Sequence, residues 1–302
     1  MGISNISHTS RKTKNKVHKM KKIMVIPNPS KDKDFSVTKS VARLLSKNGA
    51  HVYLQKIHMD KGIPSCEFFD VDNCKLDLII VIGGDGSFID ASVFAIDTDV
   101  PILGINLGKV GYLSEVEPSN LEILEKIFTG EYNIDEKILL GVKSSASGSV
   151  ILSERLAVND VVVSHQNHIG ISDFVIYSTE GGVRYRADGV IFSTPAGSTA
   201  YSLSAGGPIV SHKAEAIIVT PIAPHSFFNR SLVVGMMEDI KLKNMGDLPL
   251  NISVDGREFC SVNPGEKCEI FVSDKKLKVL TFKENNMFSN LFGKMQIVED
   301  II

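Results

Sequence analysis

No stretch of the 302-residue sequence approaches the roughly 18 consecutive apolar residues that a membrane-crossing helix needs. The most hydrophobic run, Leu76 to Ile82, contains Asp77 and ends at a glycine pair. A soluble protein with no membrane partner is expected. Cysteine is scarce as well: Cys66, Cys74, Cys260 and Cys268 are too few for a disulfide scaffold, and neither CxxC nor a Cys/His cluster at zinc-ligand spacing occurs. Reduced thiols in a cytoplasmic protein are the expectation. Charge of one sign is missing too, since 33 Lys plus Arg stand against 35 Asp plus Glu for a formal −2, which gives no reason to expect a nucleic-acid partner. Any anion must be held locally. There is no G-x-x-x-x-G-K-[ST], which disfavours a P-loop enzyme, and no internal repeat or low-complexity tract. What is present is globular composition, 43% hydrophobic and 23% charged, at a length that suits about two packed domains.

Residues 1–21 are basic and polar, with Arg11, Lys12, Lys14, Lys16, Lys19 and Lys21 but no acid and no apolar core of a secretory signal. They are expected to form a flexible extension, and a translation start at Met20 explains the same facts. Residues 22–130 alternate strand and helix periods. A run Ile23 to Ile26, a helical pattern from Asp34 to Asn48 ended by Gly49, strands His51 to Gln55 and Leu76 to Ile82, a glycine turn with a helix behind it, and a strand Pro101 to Asn106 predict an α/β domain, Rossmann-like, with a mostly parallel sheet. Ser119-x-x-Glu122 reads as a capping box opening a helix that stops at Gly130. From 131 to 281 short strand-like runs follow one another: Ile138 to Lys143, Val150 to Val163, Ile171 to Ser178, Val183 to Arg186, Gly189 to Ser193, Ala216 to Thr220 and Leu250 to Val254. They predict a β-rich, sandwich-like C-terminal domain, with one helix-like exception at Gly197 to Ala205. Residues 282–302 are mixed, and their pattern does not say which domain they pack on.

Gly83-Gly84-Asp85-Gly86-Ser87 follows a buried strand and opens a helix, so backbone N–H groups face outward with no side chains to shield them. That is a phosphate cradle. A carboxylate beside bound phosphate is repulsive unless Asp85 meets a metal ion, hydrogen-bonds a hydroxyl or takes its proton, all features of phosphoryl transfer; a tight turn with Asp85 capping the helix remains the bland alternative. Asn159-Asp160 sits at a strand end, where an Asx turn would also place it. Asp188 beside Arg186 suits an ordinary turn, and Tyr201 ordinary core packing. His165 and His168 read as surface residues. No side-chain cluster suggests a resident metal.

GGDGS is shared by several kinase families, but the rest of the sequence resembles one of them, the NAD kinases. The deciding segment runs from Tyr185 to Pro208, YRADGVIFSTPAGSTAYSLSAGGP, supported by Gly104 to Leu113, GINLGKVGYL, and Ala157 to Val161, AVNDV. The resemblance implies ATP-dependent phosphorylation of the adenosine 2′-hydroxyl of NAD in a cleft between the two domains, with Mg²⁺ or another divalent metal accompanying ATP. It implies that Asp85 is the catalytic base, that Gly83, Gly84, Gly86 and Ser87 form the phosphate loop, and that Asn159, Asp160, Arg186, Asp188, Thr199, Ala200, Ser204 and the rings of Tyr112 and Tyr201 surround the dinucleotide. Asn106 matches a polar residue of the same loop as Tyr112. Pro224-His225 and Arg230 resemble a segment near the cleft. At position 160 the family carries Glu, one methylene longer than the Asp found here. A homo-oligomer, dimer or tetramer, is also implied. Two other classes stay open from the residues alone: a sugar-phosphate or lipid kinase sharing GGDG, and a non-catalytic NAD-binding regulator.

Overall fold

The computed structural model describes residues 20–63, 66–69, 75–108, 111–145, 152–165 and 170–282. The expectations for residues 1–19 and 283–302, and for Cys74 and His168, lie outside the described residues. Strands β1 (Lys22–Pro27), β2 (His51–Gln55), β3 (Cys66–Phe69), β4 (Leu78–Gly83) and β5 (Ile102–Asn106) are parallel, in the spatial order β3-β2-β1-β4-β5. Every position of β4, LIIVIG, is buried, as a central parallel strand covered on both faces requires. Its period-2 alternation divides the core. Leu78, Ile80 and Ile82 share a cluster with Val41, Ala42 and Leu45 of helix α1 (Ser36–Lys47), whereas Ile79 and Val81 share one with Phe88, Ala91 and Ala95 of helix α2 (Asp85–Thr98). Buried Asp32 accepts the amides of Val37 and Thr38 at 3.2 and 2.9 Å and so satisfies the start of α1. Helix α1 stops before Gly49, whose φ of +86° takes the left-handed turn, as the pattern predicts.

Met20 is buried in the cluster around α1, and the Lys21 amide donates to the Asp77 carboxylate, so ordered packing has begun by Met20. The expected capping box is not formed. Pro118–Glu125 is a 3₁₀ segment without a side-chain cap, and Asn120 at φ −131°, ψ 43° leaves the helical region, so Glu122 cannot stand one turn behind Ser119. Only α3 (Lys126–Thr129) is α-helical before Gly130.

Twelve strands and one helical turn follow: β6 (Asn133–Ser145), β7 (Leu152–Ala157), β8 (Asp160–His165), β9 (Ser172–Ser178), β10 (Gly181–Ala187), β11 (Gly189–Ser193), α4 (Tyr201–Ser204), β12 (Ala216–Ile222), β13 (Leu232–Gly235), β14 (Ile240–Asn244), β15 (Leu250–Val254), β16 (Arg257–Val262) and β17 (Lys267–Thr281). The run expected over Val150 to Val163 is two strands, broken at Val158-Asn159. An antiparallel sheet in the order β13-β12-β11-β8-β15-β16 packs on β6, β7, β9, β10, β14 and the first part of β17 through a core that includes Phe174, Tyr185, Phe192, Leu242 and Ile252. The architecture is the expected α/β half with a mostly parallel sheet joined to a β-rich sandwich. The join is covalent and hydrogen-bonded: β17 pairs with β6 and β14 and then runs parallel to β5 at Val279 and Ile102, which makes one eleven-stranded sheet. Among the described residues no helix is long and apolar enough to cross a membrane.

Candidate active site

Strand β4 delivers the glycine loop to the carboxyl end of the parallel sheet. Gly84 precedes α2 in an extended conformation, and no side chain caps the helix, so its first-turn amides lack intrahelical partners. The Asp85 carboxylate does not cap α2. Instead Oδ2 accepts the Tyr112 amide at 2.9 Å and Oδ1 the Leu113 amide at 3.0 Å, which fastens the second glycine-rich loop to the first. That loop is closed from within by buried Asn106, whose Oδ1 accepts the Gly108 amide at 2.8 Å and whose Nδ2 donates to Glu117. Gly111, at φ +57°, lies so close to the Asn106 amide that a Cβ would stand 2.6 Å from its Cγ. Asn106 therefore builds the loop, while the Tyr112 ring stays 39% exposed beside the cradle's clamp.

The Asn159-Asp160 turn joins β7 to β8 and is held from two sides. Asp255 accepts the amides of Val158, Asn159 and Asp160 at 2.8, 2.8 and 3.1 Å and returns its own amide to the Asp160 carbonyl. From the other side Thr194 donates its amide to the Asn159 carbonyl and its hydroxyl to that of Val158, while accepting the Gly197 amide. Nothing among the described residues hydrogen-bonds the half-buried Asn159 side chain, so its donors and acceptor are available to a ligand. Asp255 and Gly256 both take positive φ, 48° and 76°, the backbone of a type I′ hairpin between β15 and β16. Arg257, next in the chain, pairs with Asp90 on α2. Val158 packs in the same cluster as Phe88 and Ala91, so the turn and helix α2 share one core.

Burial pushes the Asp160 carboxyl up to about 7, and the neighbouring Asp255 carboxylate adds to the shift. Burial raises Asp255 as well, but three amide hydrogen bonds favour its charged form. The proton of the pair therefore resides on Asp160, which near neutral pH donates as well as accepts. The folded chain holds this proton where the unfolded chain has already lost it, so the contribution of Asp160 to stability is fully present below the ordinary carboxylate range and is lost as pH rises towards 7. Asp160→Asn should abolish that decline and stabilise the fold at pH 8 by on the order of 2–4 kcal/mol. Thermal unfolding of both proteins at pH 5.5 and pH 8 checks this, and an unchanged pH slope in the variant would rule the shared proton out.

The segment after β11 is not the single helix expected from Gly197 to Ala205. A 3₁₀ turn, Gly197–Thr199, and α4 are separated by Ala200 at φ −98°, ψ −128°. Local hydroxyl bonding explains the break: Ser198 Oγ donates to the Pro195 carbonyl and accepts the Val210 amide, which competes with helix formation. Buried Ser202 meets Thr220 Oγ1 at 2.9 Å. With these hydroxyls turned inward, Tyr201, 47% exposed, and Ser204 face outward, and Thr199 and Ala200 are half-buried. Tyr201 is thus not a core residue.

Asp188 and Arg186 stand apart. Ser193 at one end of β11 pairs with Asp160, and Gly189 at the other end pairs with Ser164 and Ile222, which puts Asp188 about 17 Å from Ser193 along the strand. Arg186 is exposed opposite Asp173, the partner of Arg184. His225 donates its amide to the Arg186 carbonyl, and His165, expected at the surface, is half-buried with Nε2 enclosed and unpartnered. Sequence reasoning passed over Asp255, Thr194 and Arg257. The Asp-Gly pair between two strand-like runs was a readable hairpin signal, but only the fold shows which turn its carboxylate holds. Among the described residues no group of three or more His, Cys, Asp or Glu converges to hold a metal.

Two family models, described as the N-terminal and C-terminal domains of ATP-NAD kinase, match residues 23–132 and 158–282. The chain is 36% identical over 285 residues to an NAD kinase of Caldanaerobacter subterraneus subsp. tengcongensis, covering 91% of this chain and 99% of that one. It is 38% identical over 225 residues to an NAD kinase of Legionella pneumophila, covering 73% and 76%. Among solved structures, yeast NADH kinase complexed with NADH matches the fold with a TM-score of 0.81 at 22% identity over 92% of this chain and 88% of that one. An NAD kinase from Archaeoglobus fulgidus in complex with ATP matches with a TM-score of 0.68 at 26% identity over 91% and 99%.

Proposed function

The chain belongs to the NAD kinase family, and we propose that it transfers the γ-phosphoryl group of ATP to the 2′-hydroxyl on the adenosine ribose of NAD, giving NADP. The observation that carries this reading is Asp85: a carboxylate at the open start of α2, held still by the amides of Tyr112 and Leu113. Two N–H bonds leave lone pairs on both oxygens. As the bond from the ribose oxygen to the γ-phosphorus forms and the bond to the β-phosphate oxygen breaks, the hydroxyl proton passes to Asp85. Gly83, Gly84, Gly86 and Ser87 present the backbone that cradles phosphate, and the rest of the rate comes from alignment and charge neutralisation. The Asp85 carboxylate and the phosphates of ATP suit a hard divalent cation such as Mg²⁺, which would draw charge from the transferring group. The Asn159 amide and the Asp160 carboxyl hydrogen-bond the dinucleotide, Thr199, Ala200, Tyr201 and Ser204 wall it, and Tyr112 stacks on adenine.

Arg186, on β10, and Asp188, just before β11, stand at the end of β11 remote from the Asn159 turn, which supports a homo-oligomer, dimer or tetramer, in which a second copy completes the site. Phe227, Val233 and Met237, exposed near edge strand β13, supply apolar surface for such contact. Free thiols at Cys66, Cys260 and Cys268 suit a cytoplasmic location.

A coupled assay with ATP, Mg²⁺ and a panel of acceptors tests the function. NAD should be phosphorylated, whereas AMP and adenosine, which lack the nicotinamide half, should lose roughly 10²-fold or more in kcat/KM because remote binding energy no longer aligns the hydroxyl. NADP should compete with NAD. Comparable transfer to fructose 6-phosphate or diacylglycerol would overturn the assignment.

A further inference from the structure

The loop after β1 places a cation where the glycine loops meet. Asn28 fixes this loop to β4 and α2 on either side of the glycine turn: its amide donates to the Ile82 carbonyl at 2.8 Å and its Nδ2 to Ser87 Oγ at 2.6 Å. The Asn28 carbonyl accepts the amides of Lys31 and Asp32 at 3.1 and 2.9 Å, and its Oδ1 accepts the amide and hydroxyl of Ser30. Asp32, 3% exposed, is anchored in turn by Val37 and Thr38 at the start of α1. Lys31 is thus presented from a backbone tied at both ends. Its ammonium folds back over Gly84, occupying the space that a side chain there would need, and lies 3.5 Å from where a Gly108 Cβ would stand. Both glycines are empty of side chain where Lys31 Nζ sits between them.

Lys31 Nζ has no carboxylate or hydrogen-bond partner among the described residues. Asp85, next to Gly84, gives its oxygens to Tyr112 and Leu113. A lysine with no partner gains nothing by lying on bare backbone instead of extending into water, where its side chain keeps more rotamers. A bound polyanion supplies the missing partner. Resting on the kinase reading above, we propose that Lys31 binds the β- and γ-phosphates of ATP, neutralising charge on the transferring group where the two glycine loops meet. Gly84 and Gly108 are then required to admit both the ammonium and the phosphates.

Lys31→Met, which keeps the length of the side chain and removes its charge, should raise the KM for ATP by roughly 10- to 100-fold and lower kcat by roughly 10-fold or more, as loss of a charge-assisted phosphate contact does. By calorimetry without NAD present, ATP and inorganic tripolyphosphate should both bind more weakly in the variant, with a shallower dependence on salt, while NAD affinity stays within about two-fold. The exposed position means that the melting temperature should not move. Lys31→Arg should recover part of the ATP affinity. Unchanged ATP and tripolyphosphate affinity in a protein that phosphorylates NAD would overturn the proposal and leave the kinase reading intact. Weakened NAD binding with ATP unaffected would place Lys31 on the acceptor side and likewise overturn it. A wild-type chain unable to phosphorylate NAD would defeat the kinase reading, and tripolyphosphate binding would still decide whether Lys31 holds phosphate.

Discussion

Asp85→Asn is expected to lower turnover by roughly 10²- to 10⁴-fold, the range of a lost general base. The amide is nearly isosteric but takes no proton at neutral pH. The geometry adds a second consequence. Both carboxylate oxygens accept backbone N–H groups, from Tyr112 and Leu113, and the NH₂ of an asparagine would confront one of them donor to donor. One clamp bond is lost at about 1–3 kcal/mol, and the glycine-rich loop should loosen. The two effects separate by measurement. Loss of the base lowers kcat alone, whereas a loosened loop shows in the KM for substrate and in the melting temperature. A variant that turns over at near the wild-type rate would reduce Asp85 to a loop fastener and remove the proposed chemistry. A variant with normal nucleotide affinity, an unshifted melting temperature and the full loss in kcat would assign the effect to proton transfer alone.

How much of this was legible in sequence differs from element to element. Strand β2 coincides with the run read from His51 to Gln55, β11 with Gly189 to Ser193 and β15 with Leu250 to Val254, because each carries its pattern within five residues and is bounded by turn formers. The longest strand, β17, went unread. Ser273, Asp274, Lys275 and Lys276 interrupt its apolar pattern, and its register against β6 shifts between Val272 and Lys276. It belongs to two environments, the sandwich at its start and the parallel sheet at its end, so no single period describes it. Edge strands β13 and β16, with few buried side chains, were passed over for a related reason, and so was β14, although its Ile240 and Leu242 are buried in the sandwich core. The candidate site was legible where the chemistry is concentrated in adjacent residues, as in Gly83 to Ser87. It was not legible where function depends on pairing between distant segments. Asp255 acts 95 residues from Asp160, and Lys31 lies against glycines more than fifty residues away in the sequence. Nothing local to either residue says what it will face.

Gly197→Ala should cost the protein both stability and dinucleotide affinity, although the position makes no conformational demand that alanine cannot meet. The demand is for space. A Cβ at Gly197 would stand 2.6 and 2.7 Å from the carbonyl carbon and Cα of Asn159, distances that force one backbone segment to move. Neither moves easily: Asn159 is held by Asp255 from one side, and the Gly197 amide is held by Thr194 from the other. Overpacking of this kind costs about 1–3 kcal/mol, and whichever segment yields, the Asn159 amide is displaced from the position proposed for its contact with NAD. NAD affinity should fall by roughly 10-fold or more, the equivalent of about 1.4 kcal/mol from one misplaced hydrogen-bonding group, while ATP binding without NAD is retained. Gly206→Ala is the control. Gly206 lies at the end of the same segment at φ +87° with nothing within 4 Å of a Cβ, so it should lose stability of about 1–2 kcal/mol through backbone strain alone and bind NAD normally. If Gly197→Ala binds NAD as tightly as the wild type while melting lower, the contact between the 3₁₀ turn and the Asn159 turn is structural only, and the dinucleotide lies elsewhere in the cleft.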